Sequence, residues 1–258
     1  MRMLGIIMAY NDEDCIHNAI KCLLKANHEV HVFNHGSTDS TRNVILNYPV
    51  TLIDLNRNRW PNFTKNGQDN VHYAVTKHIQ KNTLNYDWVS WIDADEILES
   101  HDHTPINNDI IRASEQGCVG IFSRLLNYWM TESDNQDEDN YLKRIYRYED
   151  LGMHYSGGVF RSWDIKQTPT MTEATKRHTF LNGRPMSMHA SLLHHYPVRT
   201  IDQAYNKINY DRQVTGGAGD HYRAEGYANT KSLMRPEKWG TVGDPNIILK
   251  AVDWVDAK

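Results

Sequence analysis

Two carboxylates, Asp93 and Asp95, stand one residue apart directly after an apolar run at residues 88–92. The run predicts a buried strand, so both side chains would be held on a rigid element. Carboxylate oxygens are hard ligands that suit Mg²⁺ or Mn²⁺, and such a metal keeps open positions for phosphate oxygens. Because a departing diphosphate needs its developing charge neutralised, the pair indicates metal-assisted chemistry on a nucleotide. A solvated turn after a strand is the alternative interpretation.

Two further polar clusters follow apolar runs in the first hundred residues. Tyr10, Asn11 and Glu13 follow the first run, and a second cluster extends from Asn34 to Asp39. Ligands of open parallel sheets bind outside the carboxyl ends of the strands, so three such clusters at one edge indicate a binding site. Asn34 and Asp39 would offer side chains to a nucleoside, and Glu13 would accept a hydrogen bond from a ribose hydroxyl. Helix capping and the helix dipole also explain these residues.

Apolar patterning places the three clusters on an α/β architecture. Continuous apolar runs are typical of parallel strands covered on both faces, and stripes at i, i+3, i+4 and i+7 predict helices between them. The predicted strands are residues 3–9, 29–34, 49–55 and 88–92, and the predicted helices begin near residues 16, 42 and 71. This alternation predicts a mostly parallel central sheet with helices on both faces and right-handed crossovers.

The second half of the chain has weaker periodicity. Residues 119–126 and 141–148 predict two strands, and the acidic stretch 131–140 predicts a solvated loop between them because it has no apolar residues. Further along, the patterns predict a helix at 201–214, a Gly-rich loop at 215–219, and a last helix that Asp244 caps.

Composition limits the class of protein. The chain has 258 residues, which suits one α/β domain, and a formal net charge of −4, which provides no overall basic surface for nucleic acid. Its three cysteines are an odd number without a Cys-x-x-Cys motif, as is usual in a reducing compartment. No apolar window approaches the roughly 18 residues of a membrane span. We therefore expect a cytoplasmic protein without a transmembrane segment, with peripheral membrane attachment left open.

Four segments resemble glycosyltransferase family 2 on the GT-A fold. They are residues 9–14 (AYNDED), 33–41 (FNHGSTDST), 66–75 (NGQDNVHYAV) and 87–98 (DWVSWIDADEIL). The IDADE sequence is most similar to the branch that builds bacterial surface glycans. Residues 194–200 (HHYPVRT) resemble a His-Tyr-x-x-Arg-Ser/Thr segment of related members. The resemblance implies a metal-dependent transferase that moves a hexosyl or related sugar from a nucleotide-sugar donor to an acceptor hydroxyl.

The resemblance also implies which residues bind the nucleotide sugar. The nucleoside would be lined by Ala9, Tyr10, Asn11 and Glu13, with Asp39 beside the ribose or in the turn. Asn34 stands where the family usually has the aspartate that reads the base, which puts a uracil base in doubt.

For the metal, the resemblance implies Mn²⁺ or Mg²⁺ with Asp95 as the main ligand. Asp93 would reach the ribose or a metal-bound water. His195 would be the third metal ligand, since neutral imidazole is compatible with such a site, and His194 is the competing candidate.

The catalytic base stays open. An inverting transferase, the expected type, needs a carboxylate that deprotonates the acceptor hydroxyl. Phe160 and Arg161 stand where relatives have a His-Glu pair, so the candidates are Glu96, Asp150 and Asp164. A retaining mechanism is therefore an alternative.

We expect a single domain over residues 1–258, with a nucleotide-sugar half at 1–100, an acceptor half at 101–214 and a C-terminal extension at 215–258. The acceptor is a glycan, a protein or a modified nucleic-acid base, and the sequence does not choose among them or indicate an oligomeric state. Two other classes of function remain. One is a nucleotide-sugar-binding module without turnover, and the other is a nucleotidyltransferase or phosphohydrolase on a similar sheet.

Overall fold

The computed structural model describes residues 1–56, 71–82, 84–128, 130–131, 134–135, 137–161, 186–200 and 241–242. Within these residues the chain forms five helices and one sheet of nine strands. The elements predicted at 201–214, at 215–219 and after Asp244 lie outside the described residues. None of the described helices is long and apolar enough to span a membrane.

Strands and helices alternate in the first half, as the patterning predicts. The strands are β1 (Met3–Ala9), β2 (His28–Asn34), β3 (Thr51–Asp54), β4 (Trp88–Asp93), β5 (Glu96–Glu99), β6 (Gly120–Tyr128), β7 (Arg147–Arg161), β8 (Met186–His195) and β9 (Thr241–Val242). The helices are α1 (Ile16–Lys25), α2 (Thr41–Ile45), α3 (Val71–Asn82), α4 (Asn107–Glu115) and α5 (Tyr141–Arg144).

One half of the sheet is entirely parallel. Strands β3, β2, β1 and β4 lie side by side in that order, and each pair runs parallel. The apolar runs of β1, β2 and β4 are almost entirely buried because helices cover both faces there, whereas β3 at the edge of the sheet is partly exposed. All four strands therefore end at the same edge, as predicted.

Two hydrophobic cores cover the two faces of this half-sheet. On one face, α1 buries residues such as Ile20 in a core that contains Ile7 of β1, and the same core extends to Ile110 of α4. On the other, α3 buries Val75 and Ile79 in a second core. Gly5 allows α1 to pack closely on β1, since a Cβ there would lie 2.8 Å from Leu23 Cδ1. The prediction of helices on both faces is confirmed.

The other half of the sheet is mixed, in the order β7-β6-β8-β5. Strand β8 pairs antiparallel with β5 and parallel with β6. Its last residue, His195, is thereby placed level with Glu96 on one side and Asn127 on the other. The end of β8 is thus brought to the segment that follows β4.

The predicted strand at 141–148 is wrong over its first residues. Tyr141–Arg144 forms the short helix α5, and β7 begins only at Arg147. The Asn140 side chain accepts a hydrogen bond from the backbone N–H of Leu142 at 3.0 Å, which caps the helix. Tyr141, Leu142 and Ile145 are buried, a spacing that suits one helical turn. The strand predicted at 119–126 is confirmed as β6.

Candidate functional site

Three turns meet at the carboxyl edge of the parallel half-sheet. The backbone N–H of His35 donates to the carbonyl of Ala9 at 2.8 Å, which joins the ends of β2 and β1. The backbone N–H of Ala94 donates to the carbonyl of Met8 at 3.0 Å, which joins the ends of β4 and β1. The three polar clusters of the sequence therefore stand beside one another on rigid strands.

Asp95 and His195 face each other across this edge. Asp95 Oδ1 lies 3.8 Å from His195 Nε2, and the two side chains are 14% and 26% exposed. The other imidazole nitrogen, Nδ1, lies 2.8 Å from Asn127 Oδ1. An amide oxygen accepts a hydrogen bond, so Nδ1 carries the proton and Nε2 presents its lone pair toward Asp95.

His194 points into the protein instead. Its Nδ1 lies 2.9 Å from the Tyr128 hydroxyl and its Nε2 lies 2.8 Å from Glu99 Oε1. The same oxygen lies 2.7 Å from His103 Nδ1. Burial acts to raise the pKa of the Glu99 carboxyl, but the two histidines outweigh it and lower that pKa below its ordinary value. His194 is thus part of a buried network, on the opposite side of β8 from its neighbour.

Asp93 and Glu96 lie at the two ends of the turn that contains Asp95. Asp93 is exposed, and its backbone N–H donates to Glu96 Oε2 at 2.9 Å. The Glu96 side chain is 4% exposed. Its carboxylate thereby stabilises the turn, in addition to being one of the three candidates for the base.

The other base candidates have separate environments. Asp150 Oδ2 accepts a hydrogen bond from Arg124 Nε at 2.9 Å and is also bonded by the Nη2 of that arginine. Asp164 lies outside the described residues. Of the two candidates that the structure describes, Glu96 is the one next to Asp95.

Several predicted nucleotide-binding side chains brace the turn between β1 and α1 against the turn after β2. Asn11 adopts a positive φ of 54°, and its Oδ1 accepts from the backbone N–H of Thr38 at 2.8 Å. Glu13 Oε2 accepts from the backbone N–H of Ser40 at 2.7 Å. In return, Asp39 Oδ2 accepts from the backbone N–H of Glu13 at 3.2 Å. These hydrogen bonds hold the two turns together at the edge of the sheet. Each of these side-chain oxygens has a second lone pair that could accept a hydrogen bond from a ligand.

Ala9 and Tyr10 differ in what they offer a ligand. Ala9 is 2% exposed and its side chain belongs to the core, so only its backbone is near the edge. Tyr10 is half-buried, and its ring meets that of His35 edge-on with the centroids 6.3 Å apart. Its backbone N–H donates to Asp12 Oδ2 at 2.9 Å.

Asn34 is joined to an aspartate of the next strand. Its Nδ2 donates to Asp54 Oδ1 at 2.7 Å, and its Oδ1 accepts from the backbone N–H of Ser37 at 3.2 Å. Asp54 Oδ2 in turn accepts from Arg42 Nε at 3.0 Å. A carboxylate is thus present at this position of the edge, although it comes from β3 and not from β2.

Asp12, Asp14 and Arg199 lie in segments that carry the family resemblance, but the sequence assigns none of them a role. Arg199, completely buried, forms ion pairs with Asp14 and Asp12. The turn 10–14 signals polar chemistry, but no local pattern shows that an arginine 185 residues away reaches Asp14. Only the three-dimensional arrangement identifies this cluster.

The described residues contain no group of three or more His, Cys, Asp or Glu side chains arranged to hold a metal ion. Asp95 and His195 form a pair, with an oxygen and an imidazole nitrogen directed toward each other. Mg²⁺ on a nucleotide typically takes only one or two protein carboxylates and completes its shell with phosphate oxygens and water. The donor set therefore fits a divalent cation that arrives with a diphosphate.

A model of the domain described as "Glycosyl transferase family 2" matches residues 6–161. The matched region includes β1 to β4, all three polar clusters and Asp95, and it agrees with the GT-A fold expected from the resemblance. No curated protein matches the chain.

The chain also matches several solved structures at low sequence identity and low TM-score. Glucosyl-3-phosphoglycerate synthase from Mycobacterium tuberculosis, in complex with Mn²⁺, UDP-glucose and phosphoglyceric acid, is 14% identical with a TM-score of 0.38 and covers 63% of this chain. The same synthase with Mg²⁺ and UDP is 16% identical with a TM-score of 0.33; the alignment covers 48% of this chain and 43% of that one. A mycobacterial protein is 12% identical with a TM-score of 0.38, over 76% of this chain and 65% of its own. In the first comparison this chain spans 57% of the length of the synthase.

Proposed function

The chain belongs to glycosyl transferase family 2, and from this membership we propose that it is a metal-dependent enzyme that transfers a sugar from a nucleotide-sugar donor to an acceptor hydroxyl. The observation that carries the proposal is the pairing of Asp95 Oδ1 with His195 Nε2, 3.8 Å apart. This pair lies where the parallel strands end, the usual place for a nucleotide in an open sheet.

Asp95 and His195 would hold Mn²⁺ or Mg²⁺, and the bound metal would neutralise the charge that develops on the departing diphosphate. Asn127 keeps the His195 imidazole in the tautomer whose Nε2 can act as a ligand. Asp93, exposed at the end of β4, would reach the ribose or a metal-bound water. The choice of His195 over His194 rests on the burial of His194 against Glu99.

The turn after β1 and the turn after β2 would bind the nucleoside. Tyr10, half-buried at the edge, offers a ring face, while Asn11 and Glu13 fix the shape of the turn through bonds to the backbone. Asn34, with Asp54 bonded to its amide, would contact the base, and Asp39 would lie by the ribose.

We further propose inversion at the anomeric carbon, with a carboxylate as the base that takes the acceptor proton. Glu96, Asp150 and Asp164 remain the candidates, and Glu96 is the one adjacent to Asp95 in the described structure. The transferred group would be a hexosyl or related sugar, and the acceptor would be a glycan, a protein or a modified nucleic-acid base. Residues 1–100 would then bind the donor and residues 101–214 the acceptor.

A thermal-shift screen of common sugar nucleotides, each with and without Mn²⁺, tests this function. A ligand at 100 times its dissociation constant stabilises the native state by about 2.7 kcal/mol. We expect a manganese-dependent shift for one donor in the wild type and none in Asp95→Ala. Transfer or slow hydrolysis of that donor then separates an enzyme from a binding module. The absence of any shift with folded protein would contradict the proposal.

A further inference from the structure

The Arg199 guanidinium contacts three aspartates at the candidate site. Its Nε lies 2.7 Å from Asp14 Oδ2 and its Nη2 lies 2.9 Å from Asp14 Oδ1, which is a two-pronged ion pair. Nη2 also lies 3.4 Å from Asp12 Oδ1. Nη1 lies 3.6 Å from Asp95 Oδ2. The buried Arg199 guanidinium therefore joins the turn after β1 to the turn after β4.

Contacts on the other side fix the position of Arg199. Its Nη1 donates to the backbone carbonyl of Tyr196 at 2.9 Å. Its own carbonyl accepts from Arg144 Nη2, and its guanidinium carbon lies 5.8 Å from the centre of the Tyr141 ring. The side chain is 0% exposed. Because it is held on both sides, the guanidinium has one orientation in which to present its N–H groups.

Asp95 is consequently oriented by two neighbours. Arg199 Nη1 attracts Oδ2, and Oδ1 is left facing His195 Nε2. A carboxylate that rotated about its Cβ–Cγ bond would lose one of these relationships. The guanidinium thus determines which oxygen of Asp95 is directed toward the imidazole.

Charge gives a second reason for an arginine at this position. Three carboxylates approach one another here, and the side chains of Asp12 and Asp95 are only 12% and 14% exposed. Like charges in a partly buried cluster repel one another. The Arg199 guanidinium, which contacts all three carboxylates, offsets part of this repulsion. A lysine lacks the planar fork that holds both Asp14 oxygens.

We propose that Arg199 is a positioning residue for the metal site. It would hold Asp95 so that Oδ1 of Asp95 and Nε2 of His195 can bind the same cation. The inference rests on the proposed function, since it concerns the same site. It assigns a metal ligand, His195, to the last position of β8 and a residue that orients Asp95, Arg199, to the segment that follows.

Titration of Mn²⁺ into the full chain, alone and together with the sugar nucleotide that raises the melting temperature, tests the inference. The electron paramagnetic resonance signal of free Mn²⁺ is the readout. Arg199→Lys keeps the positive charge and loses the fork. Removing a group that orients a metal ligand typically costs 10- to 100-fold in affinity, so we expect the Mn²⁺ Kd to rise about 10-fold or more. Asp14→Asn removes the anchor of the fork from a side chain that is 39% exposed, and we expect a smaller rise with the fold intact.

Arg112→Lys is the matched control, because Arg112 also pairs with an aspartate, Asp109, at 3.1 Å on α4. We expect its Kd to equal that of the wild type. All titrations are made well below the melting temperature, where a purely structural role would leave the Kd unchanged. Wild-type binding with an unchanged Kd in folded Arg199→Lys and Asp14→Asn overturns the inference alone. A wild type that binds no Mn²⁺ under either condition, alone or with the sugar nucleotide, overturns the metal site as well.

Discussion

The backbone N–H of Tyr196 donates to the backbone carbonyl of Asp95 at 2.9 Å. This bond ties the residue after His195 to the turn after β4, so the two candidate ligands are linked through main chain as well as through their side chains. Main-chain links of this kind survive side-chain substitution. Loss of function in single variants at Asp95 or His195 is therefore expected to reflect the missing side chain and not a displaced turn.

Asp95→Ala should abolish metal-dependent transfer. A bound cation contributes several kcal/mol to charge stabilisation, so we expect a loss of about 100-fold or more in kcat/KM. The melting temperature in the absence of metal should stay close to that of the wild type. Steady-state rates over a Mn²⁺ series with the donor found by thermal shift provide the measurement. Full activity in this variant would exclude Asp95 from the site.

His195→Ala and His194→Ala should have opposite consequences. His195 faces Asp95 at the edge, so its loss should weaken Mn²⁺ binding with little effect on stability. His194 Nε2 lies 2.8 Å from the buried Glu99 Oε1, and the loss of such a hydrogen bond to a buried group costs about 1–3 kcal/mol. Mn²⁺ titration and urea unfolding of both variants distinguish these roles. The reverse ranking in Mn²⁺ affinity would move the ligand to His194.

Asn34→Asp should destabilise the fold, although it restores the residue usual in the family. The new carboxylate would stand about where Nδ2 now lies, 2.7 Å from Asp54 Oδ1, and adjacent like charges cost on the order of 1 kcal/mol or more. The double variant Asn34→Asp/Asp54→Asn should recover most of the loss, since it reverses the hydrogen bond. Urea unfolding at neutral pH measures both. Equal stability of the single and double variants would mean that the charges do not interact.

Stability should fall with acidity because of His28. Burial lowers the pKa of its imidazole from 6.5 to about 4, and its nitrogens lie near the Ala26 carbonyl and the Ser90 hydroxyl. Because the pKa of His28 is lower in the folded state, its neutral form contributes fully to the free energy of unfolding above about pH 6.5. This contribution is lost as the pH falls toward 4. The shift corresponds to roughly 3 kcal/mol.

Urea unfolding between pH 7 and pH 4.5 should therefore show a shallower decline for His28→Gln than for the wild type. A direct NMR titration of the His28 ring checks the cause. A titration midpoint close to 6.5 would contradict the lowered pKa of His28, whatever the overall pH dependence of unfolding.

The parallel half of the fold follows from local sequence. Runs such as Met3–Ala9 are apolar throughout because both faces of β1 are covered, and the stripes that fill α1 and α3 come between such runs. The turn that contains Asp93 and Asp95 was found for the same reason, since it directly follows a buried strand. The periodicity of apolar residues indicates which positions are buried, and in the parallel half-sheet burial largely determines which segments form strands and helices.

The sequence was less informative where distant contacts decide the outcome. Tyr141, Leu142 and Ile145 have apolar spacing that suits a strand or a helical turn, and the cap from Asn140 decides for the helix. Arg199 carries no local signal of burial, because its partners lie in the turn after β1. The opposite directions of His194 and His195 depend on the pairing of β8 between β5 and β6, which no short pattern specifies.

The position of β8 between two strands from the middle of the chain also has a kinetic consequence. Asp14 and Arg199 are 185 residues apart, and contacts of such long range are typically made late in folding because closing a long loop costs chain entropy. The half-sheet β3-β2-β1-β4 can form from segments that are close in sequence. His195 and Arg199 reach its edge only when β8 pairs with β5 and β6. Competence to capture a divalent cation would then appear as one of the last events of maturation, and Mn²⁺ uptake during refolding would report the arrival of that strand.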